Sequence, residues 1–253
     1  MQRPQFVLFG DSLTQKASEP EGGWAAALAH NYQRKVDVIN RGYSGYNTRW
    51  ASRLLHSIFP PDQQQIQLVT LFWGANDAAM PDRHSARQHV PVPEFKRNLQ
   101  SMVEHLRDAN IDSIILIAPP PVFEEGRIQH NCQRSGTART ETTLPERTND
   151  YTSGYAAAVV ELGEELQLPV IDLWTSMQAQ LDWHTQLLCD GLHFTPAGNR
   201  FVYQQLQPAI NKAYPKLRTD KMSFDFPDHS DIDLENPAAN CRSSIVPAEH
   251  DPV

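Results

Sequence analysis

The chain has 253 residues, 40% of them hydrophobic and 21% charged, with a formal net charge of −8. That length fits one large α/β domain with its own core, and no run approaches the ~18 apolar residues of a membrane span. The first apolar run, Phe6–Phe9, is too short for a secretory leader, so a cytoplasmic location is expected. Cys132, Cys189 and Cys241 are odd in number and far apart, which predicts free thiols rather than a disulfide framework or a metal site. Residues 219–253 hold eight acids against two bases, so most of the net charge lies in the tail. The remaining body is nearly neutral and has no basic face, which argues against nucleic acid as a partner.

Short apolar segments alternate with helical patterns along the body. Phe6–Phe9, Val36–Ile39, Gln67–Phe72, Ser113–Ile117 and Pro169–Leu173 are predicted strands, rich in β-branched and aromatic residues. Their nearly continuous hydrophobicity predicts strands covered on both faces, as in a parallel sheet. Shorter helices are predicted at residues 23–34 and 48–58. A longer one runs from Glu94 to about Asn110, with Phe95, Leu99, Met102, Val103 and Leu106 at helical spacing. Another starts after Asn149, read as its cap, and carries Tyr155, Val159, Leu162 and Leu166 on one stripe. Thr195-Pro196 is a strong start signal, a capping hydroxyl followed by proline at the first helical position. Residues 119–148 are predicted to form a long, mostly irregular insertion of the kind that often covers a site. The expected organisation is one domain over residues 1–214 and an acidic, proline-containing tail over 215–253. The fold class is α/β, a three-layer α/β/α sandwich around a doubly wound, five-stranded parallel sheet.

Ligands of such sheets bind outside the carboxyl ends of the strands, so the segments after each strand matter most. After the first comes Gly10-Asp11-Ser12-Leu13-Thr14, in which Gly10 permits a tight turn that presents the Ser12 hydroxyl. A helix cap is the plainer role for such a serine. After the second comes Asn40-Arg41-Gly42-Tyr43-Ser44-Gly45, whose glycines let a backbone amide approach a ligand. Ser44 imitates a nucleophile elbow, but Tyr46 stands where that motif needs glycine. After the third comes Trp73-Gly74-Ala75-Asn76-Asp77. The Asn76 amide could donate to a developing oxyanion, or simply make an Asx turn. Near the end, Asp190-Gly191-Leu192-His193 has a spacing that lets the carboxylate fold back onto imidazole Nδ1, leaving Nε2 as a base. Asp190 and His193 could also ligate a metal, although no tightly spaced ligand motif accompanies them. His84, His89 and His184 read as surface or core residues. Trp73, Met80 and Phe123 are candidates for lining an alcohol pocket, with ordinary packing equally open.

The four blocks together resemble the GDSL, or SGNH, hydrolase family: Gly10-Asp11-Ser12-Leu13, Gly45, Gly74-Ala75-Asn76-Asp77 and Asp190-Gly191-Leu192-His193. Phe9–Gln15, Gly42–Thr48, Phe72–Ala78 and Pro119-Pro120-Pro121 look like its isoamyl acetate-hydrolysing esterase branch. The resemblance implies a flavodoxin-like fold and a Ser12–His193–Asp190 triad that forms an acyl-enzyme. It also implies an oxyanion hole made of the Ser12 and Gly45 N–H groups and the Asn76 side chain. The substrate it implies is a short-chain acetate-type ester, with no metal or organic cofactor. A neutral His193 is then required, so activity is expected to fall in acid. Lysophospholipids, thioesters and acetylated sugars are rival substrates for the same triad. A catalytically silent binding protein and a metal-dependent hydrolase are rivals of other classes. Oligomeric state is not legible, with a homodimer left open.

Overall fold

The computed structural model describes residues 3–61 and 65–240. Strand β1 (Gln5–Gly10) leads into the short helix α1 (Ser12–Gln15), and α2 (Trp24–Asn31) precedes β2 (Asp37–Gly42). Two further short helices, α3 (Thr48–Ala51) and α4 (Leu55–Ile58), come before β3 (Ile66–Phe72). Helix α5 (Val92–Asp108) connects to β4 (Ile114–Ile117), and α6 (Glu124–Ser135) and α7 (Asn149–Leu166) connect to β5 (Val170–Ile171). The remaining helices are α8 (Leu173–Gln178), α9 (Trp183–Gln186) and α10 (Pro196–Ala213). The five strands form one parallel sheet in the order β2-β1-β3-β4-β5. This is a doubly wound α/β fold, and the winding reverses between β1 and β3.

Alternation along the strands builds two apolar layers. Phe6 and Leu8 of β1, Leu68 of β3 and Ile115 and Ile117 of β4 pack against Trp24 and Leu28 of α2 and Val202, Leu206 and Ile210 of α10. Their neighbours Val7, Phe9, Val69, Leu71, Ile114 and Leu116 face Phe95, Leu99, Met102 and Val103 of α5 and Tyr155, Val159 and Leu162 of α7. Successive strand side chains point to opposite faces, so continuous hydrophobicity is what a sheet between two helical layers needs. β2 departs from that pattern because it is an edge strand: it is only half-buried, and runs on through Asn40, Arg41 and Gly42 beyond the expected end at Ile39.

Two expectations about elements need correction, and a third gains a helix. The cap of α7 is Thr148 rather than Asn149: its hydroxyl accepts from the Tyr151 N–H, and Asn149 is the first helical residue. β5 is shorter than expected, because Asp172 caps the Thr175 N–H and Leu173 already begins α8. The insertion at 119–148 is mostly irregular, as expected, but α6 fills twelve of its thirty residues and ends on Gly136 at φ 66°. Its inward face includes Arg127, so no wide apolar stripe marked it as a helix.

After α10 the chain lies against the amino-terminal end of the sheet. The Tyr32 hydroxyl donates to the Leu217 carbonyl at 2.7 Å, and Arg3 and Arg34 pair with the buried Asp225.

Candidate active site

The parallel arrangement brings the segments after β1, β2 and β3 to one rim of the sheet. Asp11 caps α1, its carboxylate accepting from the Leu13 N–H at 2.9 Å. Ser12 is thereby the first helical residue, and its own N–H has no acceptor one turn earlier. The side chain is almost wholly buried yet borders a cavity of about 780 Å³.

Asp190 and His193 come to the same rim on a turn built around Gly191. That glycine has φ +81°, and a Cβ there would lie 2.3 Å from the Phe123 carbonyl. The Phe123 N–H donates back to the Gly191 carbonyl at 2.9 Å, so the start of α6 is packed directly on the turn. Ser12 Oγ lies 2.9 Å from His193 Nε2, and His193 Nδ1 lies 2.7 Å from Asp190 Oδ2. A carboxylate only accepts, so Nδ1 carries the proton and Nε2 accepts from the serine hydroxyl. The other carboxylate oxygen accepts from the backbone N–H groups of Leu192 and His193 at 3.0 and 2.8 Å. Burial opposes ionisation of Asp190, but the His193 hydrogen bonds and charge, with Arg127 beside them, hold its carboxyl well below the usual range.

Gly45 and Asn76 border the same cavity. Gly45 sits at φ +81°, a conformation that other residues adopt only under strain. The Asn76 amide is held at both ends: Nδ2 donates to the Tyr46 carbonyl at 2.8 Å, and Oδ1 accepts from Arg147 Nη2 at 3.0 Å. A flipped amide would set its NH2 group against a guanidinium, so the orientation is fixed. Ser44, which the sequence reading set aside, also borders the cavity.

The insertion supplies much of the wall, including Ile128, Asn131, Thr137, Thr143 and Leu144. Of the expected lining residues, Trp73 instead points into the core with its ring 4.9 Å from that of Phe9, because residues after β3 continue the strand's alternation. Phe123 packs on His184 at 4.8 Å, and Met80 donates its N–H to the Glu146 carbonyl. None of the three borders the cavity, whereas His84 does. His89 is satisfied by the Ala79 carbonyl at 2.9 Å. The sequence reading missed Arg127, Glu146 and Arg147, all buried beside these groups. Nothing local in a polar loop distinguishes a buried ionic residue from a solvated one.

The GDSL-like lipase/acylhydrolase family model matches residues 8–201, which include every residue of this hydrogen-bonded chain. The chain belongs to this family. It is 46% identical to a GDSL esterase/lipase of Arabidopsis thaliana over 93% of its own length and 96% of the relative's. It is 39% identical to the isoamyl acetate-hydrolyzing esterase 1 homolog of Homo sapiens, covering 85% and 84% of the two chains. Among solved structures, a lipase/acylhydrolase from Enterococcus faecalis superposes with a TM-score of 0.60 at 25% identity, over 87% of this chain and 98% of that one. The GDSL hydrolase is thus a carboxylic ester hydrolase, with helices on both faces of a parallel sheet. Among its described residues no helix is long and apolar enough to cross a membrane.

Proposed function

We propose that this GDSL hydrolase cleaves short-chain, acetate-type esters with Ser12 as nucleophile, His193 as base and Asp190 as the group that orients it. The observation that carries the reading is the unbroken hydrogen-bonded chain from Ser12 through His193 to Asp190, opening on a cavity of about 780 Å³. As Oγ attacks the ester carbonyl carbon, the hydroxyl proton passes to His193 Nε2, and Asp190 stabilises the resulting imidazolium. The carbonyl oxygen becomes an oxyanion, met by the N–H groups of Ser12 and Gly45 and the second N–H of Asn76 Nδ2. Collapse breaks the C–O bond to the alcohol, which takes the proton from His193 as it leaves. Water then attacks the acyl-enzyme with His193 as base, releasing the acid and restoring the serine.

Acetate as the acyl group is supported by the similarity, over 85% of this chain, to relatives named for isoamyl acetate hydrolysis. A second reading concerns the alcohol. Hydrogen-bonding side chains, among them Asn131, Arg134, Thr137 and Thr143, share the wall with Ile128 and Leu144. Such a lining favours an alcohol with hydroxyls of its own, as in an acetylated sugar, over a purely apolar one.

The test has two parts. A fluorophosphonate probe should label the wild type and leave Ser12→Ala unlabelled; equal labelling of both would reject Ser12 as nucleophile. A panel of p-nitrophenyl esters, isoamyl acetate and acetylated monosaccharides should show the highest kcat/KM for acetyl over longer acyl chains. A preference for long acyl chains would replace acetate with a lipid-like substrate. The reading also carries a cytoplasmic location, checked by fractionation of the source cells, and leaves a homodimer to be tested by mass in solution.

A further inference from the structure

Between the two halves of the site lies a cluster of buried charge that no acyl-transfer step uses. Glu146 is 1% exposed, Arg147 3% and Arg127 6%. Glu146 Oε1 accepts from Arg127 Nε and Nη2 at 2.8 and 2.7 Å and from Arg147 Nη1 at 2.8 Å, while Oε2 accepts from Asn131. The two guanidiniums hold the Glu146 carboxyl below its ordinary range against the opposing effect of burial.

Each arginine reaches outward to a different part of the site. Arg127 Nη1 lies 3.1 Å from Asp190 Oδ2 and donates to the Asp190 carbonyl at 3.2 Å. Arg147 Nε donates to the Ala75 carbonyl at 2.6 Å, and Nη2 donates to Asn76 Oδ1 at 3.0 Å and Gln88 Oε1 at 2.7 Å. Gln88 passes the restraint on, donating from Nε2 to the Gly45 carbonyl at 3.0 Å. One guanidinium therefore braces the segments that carry Asn76 and Gly45, and one carboxylate ties that guanidinium to the arginine beside Asp190.

We propose that Arg147, locked in place by Glu146, is the positioning residue of the oxyanion site. It touches no reacting atom. It sets where the Asn76 N–H points and, through Gln88, how the Gly45 segment is held. A planar guanidinium with several fixed donors can do this, and a lysine ammonium with one reach cannot. The proposal rests on Asn76 being an oxyanion donor, and makes the loop that follows α6 part of the catalytic apparatus rather than only a wall.

The test is a double-mutant cycle on p-nitrophenyl acetate, using the wild type, Arg147→Lys, Asn76→Ala, the double variant and Ser12→Ala as control. Thermal unfolding checks that each variant is folded. Arg147→Lys should lower kcat about tenfold or more, with KM changed less than about threefold. In the Asn76→Ala background the same substitution should lower kcat by less than about threefold, because the donor it holds directly is already gone and Gly45 is reached only through Gln88. A role in folding alone would lower activity by the same factor in both backgrounds. A loss of threefold or more in the Asn76→Ala background, or a loss under threefold in the single variant, overturns the proposal. If Arg147→Lys does not fold, Glu146→Gln runs the same cycle under the same criteria. If Ser12→Ala stays active, the serine mechanism fails; an inactive Ser12→Ala with an additive cycle fails the positioning role alone.

Discussion

Asn76 Nδ2 donates to the Tyr46 carbonyl at 2.8 Å, so one of its two N–H bonds is committed to the backbone that follows Gly45. The amide is fixed by the protein before any ester arrives. Such preorganisation makes a donor worth more in a transition state than in water, because nothing needs to reorient during reaction. Asn76→Ala should therefore lower kcat ~10²–10³-fold in a protein that still folds. Asn76→Asp should be no better, since the carboxylate has no N–H to offer. Steady-state kinetics on p-nitrophenyl acetate checks both, and a kcat within threefold of wild type for either would remove Asn76 from the mechanism.

Gly191 joins the Asp190–His193 turn to the start of α6 at a spacing that admits no side chain. Gly191→Ala places a methyl against the Phe123 carbonyl in a backbone conformation that alanine avoids. The variant should lose ~1–3 kcal/mol of stability, the usual cost of overpacking, and should lose activity disproportionately because the strain falls on the turn that carries Asp190 and His193. Denaturant unfolding and kcat measured on the same sample test this. A destabilised variant with unchanged kcat would show that the turn tolerates the shift.

Burial should give the stability of this protein a characteristic pH dependence. Asp11 and Asp77 are each pushed up to about 7, by burial against the hydrogen bonds they accept from Leu13 and Thr48 respectively. In the unfolded chain both ionise near ~3.9. A raised folded value means the native state holds the proton longer, so their contribution is full below about pH 4 and is lost as pH rises to about 7. Asp190 and Glu146 are lowered, so their contribution is present above their unfolded values and is lost as pH falls below about 4. Asp77→Asn keeps an acceptor for Thr48 and removes the titration. The decline in Tm between pH 5 and pH 8 should shrink by ~2 °C or more relative to wild type. Parallel Tm curves for the two proteins would show that Asp77 is ionised throughout.

The segment after Tyr214 holds on to Tyr32, Arg3, Arg34 and Lys35, which lie before the amino ends of β1 and β2. In a parallel sheet that end is opposite the rim that carries Ser12. Truncation at Pro215 should lower Tm by exposing Leu217's partner Tyr32 and unpairing Arg3, yet leave kcat within about twofold. Loss of activity in a truncated protein that remains folded would instead connect the tail with the site.

Much of this protein is determined by residues that act locally. Gly10-Asp11-Ser12 makes its own turn and cap, Thr195-Pro196 starts its own helix, and the strands declare themselves by continuous apolar runs between two helical layers. Asp190 and His193 are three residues apart, so their contact needs little beyond the turn at Gly191. Tertiary structure alone decided the rest. Ser12 and His193 are 181 positions apart, and the parallel sheet, with the Gly191 turn packed on Phe123, sets them 2.9 Å from each other. The inward face of α6 and the ion cluster at Glu146 had no sequence signature, because an arginine that braces a buried carboxylate is written with the same letter as one in water. What distinguishes them is the exclusion of solvent, and that exists only once distant segments have closed around them.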